Sequence, residues 1–153
     1  MLIKDIYHQN PVTISSDLTV KEALEEINKK RINGLIVTDK NNPKKVLGVL
    51  AIQDIAAATV PSQFRKNLGM AAAMYKKGFF HEMCDTIKDQ PVTNIMRKNF
   101  EWVSLDDHIL AITAEFLRGD LYIVPVIENK ELVGVVTRSE IKKALLFGMG
   151  VTP

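Results

Sequence analysis

The chain repeats itself, and no other feature limits its possible folds as strongly. Displaced by 89 positions, the opening segment falls on the one that begins at Val92. Ile6 lands on Ile95, Asn10 on Asn99, Ser15 on Ser104, Asp17 on Asp106, Glu26 on Glu115 and Val37 on Val126. Three additional residues within "NNPKK" of the first copy then reduce the displacement to 86, which sets Gly48 on Gly134, Val49 on Val135 and Ile55 on Ile141. The order of predicted elements agrees along with the identities.

Each copy reads β-α-β-β-α. It opens with a short turn or helix ("IKDIY", "VTNIM") and a brief β-rich piece ("PVTI", "FEWV"). In "TVKEALEEINKKR", Val20, Ala23, Leu24 and Ile27 recur at helical spacing, with Thr19 and Glu22 placed as a capping box. Ile109, Ile112 and Phe116 form the matching stripe. Two strands follow in each copy, "GLIVTD" and "VLGVLA" against "YIVPVI" and "LVGVVT". Their polar links, "KNNPKK" and "ENKE", predict solvated antiparallel hairpins. The helices "IQDIAAATV" and "RSEIKKALLFG" close the copies.

A unit of about 50 residues buries too little surface to stand alone. The predicted class is therefore α+β, with two repeats packed sheet to sheet into one pseudo-two-fold module. Residues 1–59 make the first repeat, 60–91 a helical inter-repeat segment and 92–153 the second repeat. The middle segment contains "GMAAAMYKKGFF" and is long for a plain linker. Met70, Met74, Tyr75, Phe79 and Phe80 there read as core or as a self-association surface.

Apolar residues at 46% and charged residues at 25% suit a soluble globular protein. Twenty basic against eighteen acidic side chains leave a formal charge of +2, which gives no electrostatic reason to expect nucleic acid or an anionic membrane. A single cysteine, Cys84, excludes an internal disulfide and any multi-cysteine zinc site. The N-terminus has no apolar run of signal-peptide type, and no stretch approaches the roughly 20 apolar residues that span a bilayer. A cytoplasmic protein is expected.

The end of each copy carries the chemistry: Gly48–Ile55 reads "GVLAIQDI" and Gly134–Ile141 reads "GVVTRSEI". Thr137 and Glu140 have the spacing of a capping box, which needs no ligand. The same strand-to-helix turn also points free backbone N–H groups outward, as an anion site does. Arg138 adds a donor fork suited to phosphate, or is simply solvated. In the first copy Ala51 has no side-chain oxygen with which to cap, so capping explains the Asp54 carboxylate less well. "HEMCD" (His81, Glu82, Cys84, Asp85) lacks the second histidine of a zinc motif and reads as a surface helix. Trp102 reads as a core aromatic, with stacking on a base as the lesser alternative. The polar end "NKKR" leaves Arg31 within reach of a phosphate. Glycine-rich phosphate loops and nucleophile elbows are both lacking, and no catalytic function is expected.

Two β-α-β-β-α units, each ending in Gly, two apolar residues, a small or hydroxyl residue and an acid three positions on, resemble a pair of CBS domains, the family named after cystathionine β-synthase, whose pairs are often called Bateman modules. The resemblance covers nearly the whole chain outside the inter-repeat segment and implies a stand-alone CBS pair. It implies a regulatory, non-enzymatic module that binds an adenosine-containing ligand (AMP, ADP, ATP or S-adenosylmethionine) between the repeats. Ligand binding would bring a change of conformation or association. No cofactor is required, and the partner implied is a second copy, a homodimer formed through the helices. The alternative is a CBS-like dimerisation scaffold with degenerate, unliganded clefts.

Carried over by position, one cleft takes Thr137, Arg138, Ser139 and Glu140, with Ile32 and Asn33 beside them and Tyr7, Asn10 and Val12 from the first opening segment. The other takes Ala51, Gln53 and Asp54, with Met96, Asn99, Glu101, Leu121 and Tyr122. The family's motif has a hydroxyl where Ala51 stands and a shorter acid where Glu140 stands, so at most one good site is expected. Asp54 is the preferred candidate for the ribose hydroxyls.

Overall fold

The computed structural model describes residues 1–60, 78–118 and 123–151. Met70, Met74, Tyr75, Leu121 and Tyr122 lie outside the described residues. In the first repeat a 3-10 turn at Ile3–Asp5 leads to β1 (Thr13–Ser15), α1 (Val20–Lys30), β2 (Gly34–Asp39), β3 (Asn42–Ala51) and α2 (Ile52–Thr59). Helix α3 (Phe79–Ile87) follows between the repeats. The second repeat has a 3-10 turn at Val92–Asn94, then α4 (Ile109–Leu117), β4 (Ile123–Glu128), β5 (Glu131–Thr137) and α5 (Arg138–Gly148). β1 runs parallel to β2, β2 pairs antiparallel with β3, and β4 pairs antiparallel with β5.

The capping box predicted for α1 is present: the Glu22 N–H donates to Thr19 Oγ1 at 3.2 Å, and the Thr19 N–H donates to Glu22 Oε2 at 3.0 Å. Such a cap stabilises a helix by about 0.5–2 kcal/mol. The three additional residues of the first copy, Pro43, Lys44 and Lys45, bulge out of β3 rather than lengthening a free loop. Thr38 pairs with Val46 and Asp39 with Asn42, whereas the second copy passes directly from Ile127–Leu132 to Glu128–Glu131. The second hairpin turns at Asn129 and Lys130, both with positive φ, as a type I′ two-residue turn requires.

The strand predicted over "FEWV" shrinks to one parallel bridge between Val103 and Val126. Pro125 explains this. In the first repeat the Ile36 N–H donates to the Val12 carbonyl at 3.1 Å. Pro125 stands at the equivalent position and has no N–H to give. Trp102, freed from the strand, is 54% exposed and contributes nothing to the core.

Along β2 and β3 the side chains divide by strand alternation. Leu35, Val37 and Leu50 join Ala23 and Ile27 of α1 in the first core. Ile36 and Val49 point the other way, onto Ile123 and Val135 of the second repeat, in a buried cluster between the sheets. Each aliphatic side chain so buried contributes about 1.5–3 kcal/mol. The seam is what a half-unit alone would expose to water.

The opening segments are exchanged between repeats. Ile3 is buried in the core of the second repeat, with Ile112, Val124 and Val136. Val92 and Met96 are buried in the core of the first. Hydrogen bonds follow the same symmetry. His8 and Val135 exchange two backbone bonds at 2.9 Å, and Arg97 and Val49 do so at 2.8 and 3.1 Å. Leu2 bridges His108 as Pro91 bridges Thr19. Among the described residues, no helix is long and apolar enough to cross a membrane.

Candidate functional site

Exchange of the opening segments puts residues of the first repeat beside the end of β5. The resulting cleft, of about 510 Å³, is lined by His8, Asn10, Val12, Arg31, Ile32, Asn33, Gly34, Ile123, Val135, Thr137, Arg138, Ser139, Glu140 and Lys143. Its volume lies in the range that holds a small ligand. Asn10, Val12, Ile32, Asn33, Thr137, Arg138, Ser139 and Glu140 of the predicted set come together here. Tyr7 does not. Its ring packs against Gly134, and it lines a separate groove with Met1, Asp5, Ile6, Lys143 and Phe147.

Backbone geometry fixes the walls. The Asn33 carbonyl accepts the Ile52 N–H at 2.9 Å, which ties the start of β2 to the start of α2. Arg31 ends α1 in the left-handed region, with φ 54° and ψ 45°. The Ile32 N–H closes back on the Ile27 carbonyl at 3.2 Å. The chain thus turns sharply at Arg31, whose side chain borders the cleft.

At the floor, the Thr137 N–H and hydroxyl both donate to Glu140 Oε2, at 2.9 and 2.6 Å, and Thr137 Oγ1 accepts the Ser139 N–H at 3.2 Å. The capping box is therefore real. It uses one oxygen of Glu140 and aims the other toward Lys143, whose Nζ lies 3.8 Å from Oε1. Glu140 is only 4% exposed, so its carboxylate is held in one orientation. Capping and presentation of a carboxylate oxygen coexist in the same side chain. Arg31, Arg138 and Lys143 line the same cleft as this acid, so the lining carries more basic than acidic side chains.

The second cleft is smaller, about 240 Å³, and is lined by Val49, Arg97, Asn99, Phe100, Glu101, Glu115, Arg118 and Ile123. Asn99 and Glu101 of the predicted set reach it. Ala51 and Met96 are buried, and Met96 packs in the first core. Gln53 is half-buried on α2. Asp54, the preferred ribose candidate, is engaged on both oxygens. The Ala51 N–H donates to Oδ2 at 2.9 Å and Arg97 Nε to Oδ1 at 2.7 Å. A capping box needs only a backbone N–H at its first residue for this half, so Ala51 does not prevent it.

His8, Gly34, Ile123, Val135 and Lys143 were not in the predicted set. Lys143 had a readable signal, because three residues after Glu140 is the same helix face. His8 had none, since its place depends on the exchange. "HEMCD" lies on α3, where His81 Nε2 is 3.6 Å from Asp85. No metal-binding cluster occurs among the described residues.

A family model described as "CBS domain" matches residues 3–60 and 92–147. The chain is 22% identical over 139 residues to the glycine betaine/carnitine/choline transport ATP-binding protein OpuCA of Bacillus subtilis, covering 91% of this chain but 29% of that protein. Its fold is similar to CBSX2 in complex with AMP, at TM-score 0.70 and 20% identity over 97% of this chain and 98% of that one. It is also similar to the CBS domain pair of protein MJ0100 in complex with 5′-methylthioadenosine and S-adenosyl-L-methionine, at TM-score 0.68 and 24% identity, covering 98% of each.

Proposed function

The chain belongs to the CBS domain family, and from that premise we propose that it is a regulatory ligand-sensing module binding an adenosine-containing ligand in the cleft at Thr137–Glu140. The observation that carries the reading is the Glu140 carboxylate. It is buried, oriented by Thr137, and has one oxygen turned away from its cap. Such an acceptor suits the vicinal hydroxyls of a ribose, and a hydrogen bond to a charged group contributes about 1.5–3 kcal/mol. Two proteins of the same fold are known in complex with AMP and with S-adenosyl-L-methionine, which supports an adenosyl ligand here.

Among adenosyl ligands the charge of the cleft favours a phosphorylated one. Arg31, Arg138 and Lys143 border it, and guanidinium groups match phosphate oxygens with paired donors. S-adenosylmethionine, with a sulfonium and an ammonium against one carboxylate, is a net cation and is less favoured by the same groups. Binding across the seam joins the two repeats. It shifts the equilibrium between conformations by its difference in affinity for them. Association runs through the helices, where α4 and α5 expose Leu110, Leu117, Leu145 and Phe147, and a second copy of the chain covers them.

Thermal unfolding with AMP, ADP, ATP and S-adenosylmethionine tests the reading. A ligand at 100 times its dissociation constant adds about 2.7 kcal/mol to stability. ATP or ADP is expected to stabilise most. Stabilisation by none of these would favour a scaffold with unliganded clefts.

A further inference from the structure

The two acids, Glu140 and Asp54, stand at equivalent positions of the repeats but differ in what faces them. Position 97 is the second-repeat equivalent of position 8, at the 89-residue displacement. Both residues hold the backbone bridge to the opposite sheet. At position 8 the chain has histidine, and His8 makes no described ion pair to Glu140. At position 97 it has arginine, whose Nε donates to Asp54 Oδ1 at 2.7 Å, with side-chain exposures of 33% and 12%. The other Asp54 oxygen accepts the Ala51 N–H. Glu140 instead stacks both Thr137 bonds on Oε2, and Lys143, 63% exposed and able to swing away, has its Nζ 3.8 Å from Oε1.

We propose that Arg97 closes the second cleft, so that the module takes one ligand per chain, at Glu140. The inference rests on the ligand-sensing reading of the first cleft. A sugar arriving at Asp54 must displace a charge-assisted bond from a sheltered pair, and it finds no hydroxyl at Ala51 to replace what is lost. Arg97 is thus a specificity-determining residue: it decides how many of two homologous sites respond.

Calorimetric titration with ATP, and separately with AMP, counts the sites. Wild type is expected to bind one ligand per chain and Glu140→Ala none. Arg97→His, which installs the residue of the equivalent position, and Arg97→Gln are each expected to bind two. Arg97→His combined with Glu140→Ala retains one. Asp54→Asn, which breaks the pair from its other side, leaves the wild-type count at one. Two ligands on wild type, one on folded Arg97 variants, or loss of the wild-type site in Asp54→Asn would overturn the proposal. Binding by Arg97→His but not by wild type would sustain the role of Arg97 and refute the reading of the first cleft. Binding by neither would overturn both.

Discussion

Gly134 lies directly beneath Tyr7: a Cβ on Gly134 would stand 2.8 Å from the tyrosine Cε2 and 2.6 Å from the His8 carbonyl oxygen. Gly48 has the same relation to the other opening segment, with the Arg97 carbonyl oxygen at 2.7 Å and Met96 Sδ at 2.8 Å. The glycines let each exchanged segment lie against the opposite sheet. Because the obstructing atoms include backbone, Gly134→Ala and Gly48→Ala should each cost about 1–3 kcal/mol through overpacking. Gly148 has nothing within 4 Å of a Cβ and ends α5, so Gly148→Ala should be neutral or slightly stabilising. Denaturant midpoints of the three variants check this.

Arg31 is a non-glycine residue in the left-handed region at the edge of the open cleft. That conformation costs a side-chain-bearing residue roughly 1–2 kcal/mol, of which glycine's greater unfolded-state freedom returns part. Arg31→Gly should therefore raise stability by about 0.5–1 kcal/mol and weaken ATP binding about 10-fold or more. Paired unfolding and binding measurements on one variant read both. A variant that gained stability with unchanged affinity would remove Arg31 from the site.

Much of this was legible in the sequence, because it follows from local spacing. The duplication, the hairpins and the boxes at Thr19–Glu22 and Thr137–Glu140 are patterns of a few residues each. The exchange of opening segments is not local. Nothing near His8 or Arg97 says that their backbones pair with Val135 and Val49. Tyr7, carried over with its segment, packs on Gly134 beside the cleft lining. The pairing of Asp54 with Arg97 was not legible, because the two lie 43 residues apart. Pro125 was readable: a proline inside "YIVPVI" denies a neighbouring strand its bond, and the lost strand and exposed Trp102 are its consequences.

The excess of basic over acidic side chains lining the cleft predicts that affinity rises from adenosine to AMP to ATP and falls with added salt. Lys143→Met should weaken ATP about 10-fold and leave adenosine nearly unchanged. Fluorescence or calorimetric titrations at two ionic strengths separate the two contributions. Equal losses for both ligands would mean that Lys143 acts through Glu140 rather than through phosphate.

Phe147 is 74% exposed near the end of α5, in an apolar strip that a second copy would cover. Phe147→Asp should convert dimer to monomer by light scattering, with the unfolding midpoint measured at low concentration unchanged. A wild-type protein that is already monomeric at high concentration would contradict association through this face.

Glu140 both caps α5 and presents an oxygen to the cleft, and glutamine separates the two roles. Glutamine serves in a capping box as well as glutamate does, but it offers a ribose no charged acceptor. Titration of ATP into wild type and Glu140→Gln, with unfolding midpoints for each, is the most direct test. The prediction is saturable binding to wild type, affinity lowered about 10-fold or more in Glu140→Gln, and closely similar stability. Equal affinity in the two proteins, or no binding of ATP, ADP, AMP or S-adenosylmethionine to wild type, would contradict the account.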